Sequence, residues 1–189
     1  WPAFLIDKLP VPPATAAVYY ACNGNDGTST AVRDALERIE RPGVVRVEHS
    51  YHGAGVTAVP LGTDPRCTRL DVALHTVPRP RSDGADAEAC LEASAAVFAA
   101  AKGSVGALIL EGSSGTQHGG TWPGDYVEQL TAIAREHGAL CIADEVLSGP
   151  TRTGQHAWAA ATVGCPPALR FDSVVPGNAP STGLLPFAQ

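Results

Sequence analysis

Four short polar clusters hold the groups in this chain that could do chemistry. They are Asn23-Gly-Asn-Asp26, His49-Ser-Tyr-His52, Glu111 with a Gly/Ser-rich loop behind it, and Asp144-Glu145. Each follows an apolar, strand-like run. The Gly/Asn turn after Cys22 opens a helix, and a helix start offers unpaired N–H groups and a positive dipole end that suit a phosphate. The same turn also serves as a plain strand-to-helix connection. Asp144, directly after Leu140-Cys-Ile-Ala143, is a partly buried carboxylate. It fits a helix cap, a salt bridge, or a partner for a cationic ligand group or a metal. Glu145 must point the other way if the strand continues, because successive side chains alternate. His49 and His52 with Glu111, His118 or Asp144 invite a metal reading, but no HExxH or other zinc spacing supports it. A serine hydrolase is weaker still, since Gly112-Ser-Ser-Gly115 lacks the GxSxG elbow.

The elements that must position these clusters follow from apolar periodicity. Ala16-Ala-Val-Tyr-Tyr20 is a short apolar run leading to Cys22. Val32, Leu36 and Ile39 recur at helical spacing after Thr28 or Ser29 as a cap, and Arg41-Pro-Gly43 ends that helix. Val44–Glu48 reads as a strand, so the first fifty residues spell strand, turn, helix, strand. Asp86–Ala101 is an Ala-rich helix closed by Lys102-Gly103. Gly106–Leu110 is a fully apolar run, as in a parallel strand covered on both faces. Tyr126, Val127, Leu130, Ile133 and Ala134 form a second helical stripe, and Gly138 caps its end. Ala139–Ala143 is another buried strand and Phe171–Val175 a weaker one. Residues 51–85 are less regular, with one short strand at Asp71–Leu74. Strands alternating with helices predict an α/β fold with a mostly parallel sheet flanked by helices. In such a sheet ligands bind beyond the carboxyl ends of the strands, which is where all four clusters fall.

Composition narrows the function classes. With 13 Lys+Arg against 19 Asp+Glu the net charge is −6, which disfavours nucleic-acid binding. No apolar run approaches the length of a membrane span. No secretory leader is visible at Trp1–Lys8. The chain has no Met, so Trp1 is not a translated start and the chain is processed, trimmed or partial. Its five cysteines are odd in number and lack a CxxC. Cys22 and Cys141 read as buried thiols within strands, so reduced cysteines and a cytoplasmic location are expected. Lys8 and Lys102 are the only lysines.

The order of these motifs resembles the large domain of the class III aminotransferases, pyridoxal-phosphate enzymes of fold type I, from about Val18 to Phe187. The most specific stretch runs from Gly106-Ala-Leu-Ile-Leu-Glu111 through His137-Gly-Ala-Leu-Cys-Ile-Ala-Asp-Glu-Val146 to Ser148-Gly-Pro-Thr-Arg-Thr-Gly154. Tyr51-His-Gly53 matches the family's aromatic-His-Gly, and Phe171-Asp-Ser-Val-Val175 its approach to the catalytic lysine. The resemblance implies that Asp144 bonds the pyridine nitrogen and keeps it protonated, so that the ring works as an electron sink. It implies that Tyr51, within that motif with His52, stacks on the ring. It also implies that Gly24 and Asn25 hold the phosphate. Glu111 and Arg152 sit in matched motifs and receive structural or substrate-side duties.

Departures from the family pattern are equally informative. Asn178, in Pro176-Gly-Asn-Ala-Pro-Ser-Thr-Gly183, stands where the family places its Schiff-base lysine, and an amide cannot form that link. Lys8 precedes the first strand and Lys102 precedes another, so neither is expected to substitute. The Ser-Gly-Thr/Ser-Glu-Ala turn of the family reads Asn23-Gly-Asn-Asp-Gly27, and its Glu-Pro reads Glu111-Gly112. Residues 1–15 correspond to a remnant of an N-terminal segment, and 16–189 to a large domain incomplete at its C-terminus. The expected protein therefore binds pyridoxal 5'-phosphate or pyridoxamine 5'-phosphate noncovalently, as a degenerate or repurposed member of the family. Bases such as His52 or His118 remain for work on a small amine or keto substrate. Two other readings stay open: a non-catalytic scaffold or partner subunit, and a cofactor-free enzyme using Asp144, His52 and His118. A homodimer or partner chain is expected, because the family's sites form between two subunits.

Overall fold

A computed structural model of the chain describes residues 19–53, 72–113, 122–123, 125–149 and 171–176. The elements in chain order are α1 (Gly24–Ile39), β1 (Gly43–Val47), β2 (Ala73–Val77), α2 (Ala87–Ala100), β3 (Val105–Glu111), α3 (Tyr126–Glu136), β4 (Leu140–Glu145) and β5 (Ser173–Pro176). The five strands form one sheet in the order β2-β1-β3-β4-β5, and every pairing is parallel. The chain runs outward from β1 to β2, then returns to place β3 on the other side of β1. That reversal opens a crevice at the carboxyl ends of β1 and β3.

Alternation along the strands sends side chains to two separate cores. Val45, Val47, Leu108, Leu110, Cys141 and Ala143 face the layer that contains Leu91, Phe98, Tyr126 and Leu130 of α2 and α3. Val44, Ala107, Ile109, Ile142 and Val175 face Val32 and Ala35 of α1. β3 is buried along its whole length, so a continuous apolar run is what its position requires. Helix α3 ends where Gly138 takes φ 76°, a left-handed conformation that costs glycine little.

Three expectations are corrected. Tyr19 and Tyr20 are 61% and 64% exposed, belong to no helix or strand, and lead to an exposed Cys22. Of the expected run, Ala16–Val18 lie outside the described residues, and the only strand-like pairing at residues 19–23 is a single bridge at Ala21. The helix cap is Asn23, whose side-chain oxygen accepts from the Asp26 N–H at 3.0 Å. Thr28 lies inside the first turn, and its hydroxyl donates to the Gly24 carbonyl at 2.9 Å. Strand β2 covers Ala73–Val77, a few residues beyond the expected Asp71–Leu74. As an edge strand it tolerates His75 and Thr76, whose polarity obscures the strand pattern. Cys141 is buried as expected, and desolvation pushes its thiol up to about 12. Among the described residues no helix is long and apolar enough to cross a membrane.

Two side chains fasten the layers. Asp172 accepts from the Cys141 N–H at 2.8 Å, and its own N–H donates to the Cys141 carbonyl at 2.7 Å, which fixes the start of β5 on β4. Arg41 donates through Nη1 to the His137 carbonyl at 2.8 Å and the Val105 carbonyl at 3.4 Å. It thereby joins the ends of α1 and α3 to the start of β3. Arg41→Ala leaves the His137 carbonyl without its strongest charged donor and should cost about 2 kcal/mol. The urea midpoint should fall at an unchanged m-value; an unmoved midpoint contradicts the role.

Candidate functional site

Parallel pairing brings the carboxyl ends of all five strands to one edge. Beyond β1 lie Ser50, Tyr51 and His52; β3 ends at Glu111 and β4 at Asp144-Glu145. The first turn of α1 borders the same edge. Together they enclose a cleft of about 280 Å³ whose walls include Gly24, Asn25, Tyr51, His52, Glu111 and Asp144.

Asp144 is 6% exposed and His52 1%. Asp144 Oδ2 lies 2.8 Å from His52 Nδ1, while Oδ1 accepts from the Val146 N–H at 3.1 Å. An ionised carboxylate can only accept, so Nδ1 carries the proton of this bond. His52 Nε2 is buried without a hydrogen-bond partner among the described residues. The pair therefore presents a carboxylate held from two sides and oriented in the cleft wall. Two lone-pair sites on each oxygen leave room for one more donor.

The start of α1 and the turn after Asp144 are built against each other. A Cβ on Gly24 would come within 2.7 Å of Val146 Cγ1, so the start of α1 approaches the turn after β4 only because residue 24 is glycine. Tyr51 is 43% exposed and offers an aromatic face at the cleft. Glu145 has the parity of Ala143, as alternation requires. It is fully buried and accepts from the Ser148 hydroxyl. A Cβ on Gly112 would overlap its carboxylate, so glycine after Glu111 makes room for Glu145.

Glu111 and Asp144 are register partners on adjacent strands. Sequence reasoning marked Glu111 as a strand-end acid but not as a neighbour of Asp144. Both are buried, at 5% and 6%, and both line the cleft. Trp122 fixes the backbone here by donating its indole N–H to the Glu111 carbonyl at 2.8 Å. Arg79 stacks over the Trp122 ring at 4.6 Å. Burial lowers the Arg79 pKa, and the negative charge of Glu111 opposes that shift. Asn23, from the first of the polar clusters, lines the cleft too, as do Thr28 and Val146, which were not among the candidate residues. The matched Asp-Glu-Val motif was the signal available for Val146.

Gly24, Asn25, Tyr51, His52 and Asp144 are thus brought together at one cleft. Asn178, His118, Arg152 and Lys8 lie outside the described residues. Lys102 is exposed just before β3, at the sheet edge opposite Asp144. Among the described residues no group of three or more His, Cys, Asp or Glu side chains has the geometry to hold a metal ion.

Comparison with known proteins gives this edge its context. A family model described as aminotransferase class-III matches residues 5–188. A glutamate-1-semialdehyde 2,1-aminomutase from Anaeromyxobacter sp. (strain Fw109-5) is 33% identical over 141 residues, covering 69% of this chain and 31% of that protein. The corresponding protein of Heliobacterium modesticaldum is 31% identical over 147 residues, covering 72% and 32%. The chain spans about a third of the length of these curated relatives. Among solved structures, an S-selective transaminase from Bacillus megaterium superposes with a TM-score of 0.77 at 25% identity, covering 89% of this chain and 41% of that one. An amine transaminase from an uncultivated Pseudomonas species, in its PLP-bound form, gives a TM-score of 0.84 at 21% identity, covering 99% and 44%.

Proposed function

Because the chain belongs to the class III aminotransferase family, we propose that it is an aminotransferase-like protein that holds pyridoxal 5'-phosphate or pyridoxamine 5'-phosphate noncovalently in the cleft at Asp144. In this reading Asn178 replaces the cofactor-carrying lysine, and ordinary lysine-dependent transamination is absent. The observation that carries it is the Asp144 carboxylate, buried and fixed by His52 and Val146, across the cleft from the N-terminus of α1.

These residues suit the cofactor. Asp144 would bond a protonated ring nitrogen, with His52 as the residue that orients it. The N–H groups at Gly24 and Asn25 would meet the phosphate, and Tyr51 would lie against the ring. The cleft volume is near the lower end for small-molecule sites. When bound, the cofactor supplies an electron sink for charge developing on a substrate carbon. A small amine or keto compound is the substrate class that such chemistry serves.

Support for Asn178 comes from β5. Pro176 ends that strand as the register partner of Glu145, so residue 178 starts two positions beyond the strand that flanks Asp144. The assembly in this reading is a homodimer or a pair with another chain, which the exposed Tyr51 and Leu147 at the cleft favour. A cytoplasmic setting agrees with the free Cys22, Cys90 and Cys141.

The test is direct. After incubation with pyridoxal phosphate and desalting, an absorption band should remain, and borohydride should not fix it to the chain. A band that becomes fixed contradicts the missing link. No retention favours a scaffold role or a cofactor-free site.

A further inference from the structure

We infer that Val146 is a positioning residue: its branched side chain fills the space that Gly24 leaves open and sets the distance between the start of α1 and the Asp144 carboxylate, so that the cleft selects ligands whose anionic group and ring are joined at one length. The inference rests on the function proposed above and deepens it by naming what sets the span of the ligand.

Two contacts of one residue carry it. The Val146 N–H donates to Asp144 Oδ1 at 3.1 Å, which ties the turn after β4 to the carboxylate. On the other side, a Cβ at Gly24 would lie 2.7 Å from Cγ1 and 3.0 Å from Cγ2 of Val146, and the three nearest atoms outside its own helix all belong to Val146. Both methyls thus occupy the place of the missing side chain. The body of α1 is held elsewhere, by Val32 and Ala35 packed on the sheet. Its first turn is stiff within itself: the Thr28 hydroxyl donates to the Gly24 carbonyl at 2.9 Å, and the Gly27 N–H donates to the Asn23 carbonyl at 3.1 Å. Neither bond ties that turn to β4. Val146, partly buried against the α1 side of the sheet, supplies the tie. A β-branched side chain has few rotamers and makes a stiff spacer.

Gly24, Asn25, Asp144 and Val146 all line the cleft. A ligand with its anionic group at the start of α1 and its ring at Asp144 makes two linked contacts. Linked contacts reinforce each other only when the span between their sites matches the span of the ligand. A spacer therefore acts on the joined ligand and leaves each separate half nearly untouched. A residue that merely stabilises the fold does not discriminate between whole and half.

Three probes test this by equilibrium dialysis: pyridoxamine 5'-phosphate, which has both groups, and its two halves, pyridoxamine and inorganic phosphate. Val146→Ala removes both methyls and should weaken the whole ligand about tenfold while each half stays within about twofold, because only the match between the two sites is lost. Val146→Thr keeps the branched shape and should keep all three affinities. Gly24→Ala puts a methyl where Val146 stands and should weaken the whole ligand in the same selective way. Joined in one protein, Gly24→Ala and Val146→Ala exchange the side that fills the space, and should recover most of what Gly24→Ala alone loses. Should Val146→Ala not fold, or the halves bind too weakly to read, Gly24→Ala and the joined pair decide on the whole ligand alone. Recovery supports the spacer; a pair that loses as much as Gly24→Ala, or does not fold, overturns it. Equal losses for the whole ligand and its halves, or an unchanged whole ligand, overturn the inference while leaving the cofactor reading intact. Failure of the unaltered protein to bind pyridoxamine 5'-phosphate overturns both.

Discussion

Asp144→Asn should reduce the retention of pyridoxal phosphate by on the order of a hundredfold. The side chain keeps its size, although its one amide oxygen can replace only one of the two carboxylate oxygens that meet His52 and the Val146 N–H. What it loses is the charge, at a position only 6% exposed. A charge-assisted bond is roughly twice as strong as a neutral one, and burial amplifies the difference. An amide in this place no longer favours a protonated ring nitrogen, so about two pKa units of preference for that form disappear, which is roughly 2.7 kcal/mol. Equilibrium dialysis against pyridoxal phosphate measures the loss, with circular dichroism to establish that the sheet persists. Retention equal to that of the unaltered protein would remove Asp144 from the ring-nitrogen role.

The second large effect runs the other way. Asn178→Lys should convert a borohydride-insensitive complex into one in which the cofactor is fixed to the chain and visible by intact mass. Pro176 pairs with Glu145, and two further residues extend the chain by no more than about 7 Å. In the reading proposed above, a lysine amine at 178 would meet the cofactor held at Asp144, and its neutral form is the nucleophile. If the variant retains the cofactor but borohydride labels nothing, residue 178 does not stand at the lysine position of the family. The two variants are independent, since one removes a ring contact and the other adds a covalent one.

How much of this was legible before the fold was known differs by element. β3 and β4 were readable because a strand buried on both faces needs an unbroken apolar run. Helices α1, α2 and α3 were readable because each must turn an apolar stripe toward the sheet. The stretch before α1 misled, since Tyr19 and Tyr20 have the residue types of a strand yet lie exposed. β2 was displaced because an edge strand need not be apolar. Asp144, Tyr51 and His52 were legible through their motifs at strand ends, where a parallel sheet gathers its chemistry.

The amino-acid sequence alone determined the alternation of strands and helices, the acids that close β3 and β4, and the amide at position 178, because these are local facts of residue type and period. Only the tertiary structure decided that Glu111 is the register partner of Asp144, that His52 bonds its carboxylate, and that Gly24 admits Val146 beside the start of α1. Those relations join residues 33 to 122 positions apart. Period and propensity do not encode such distances; the pairing of strands and the packing of one layer on another set them.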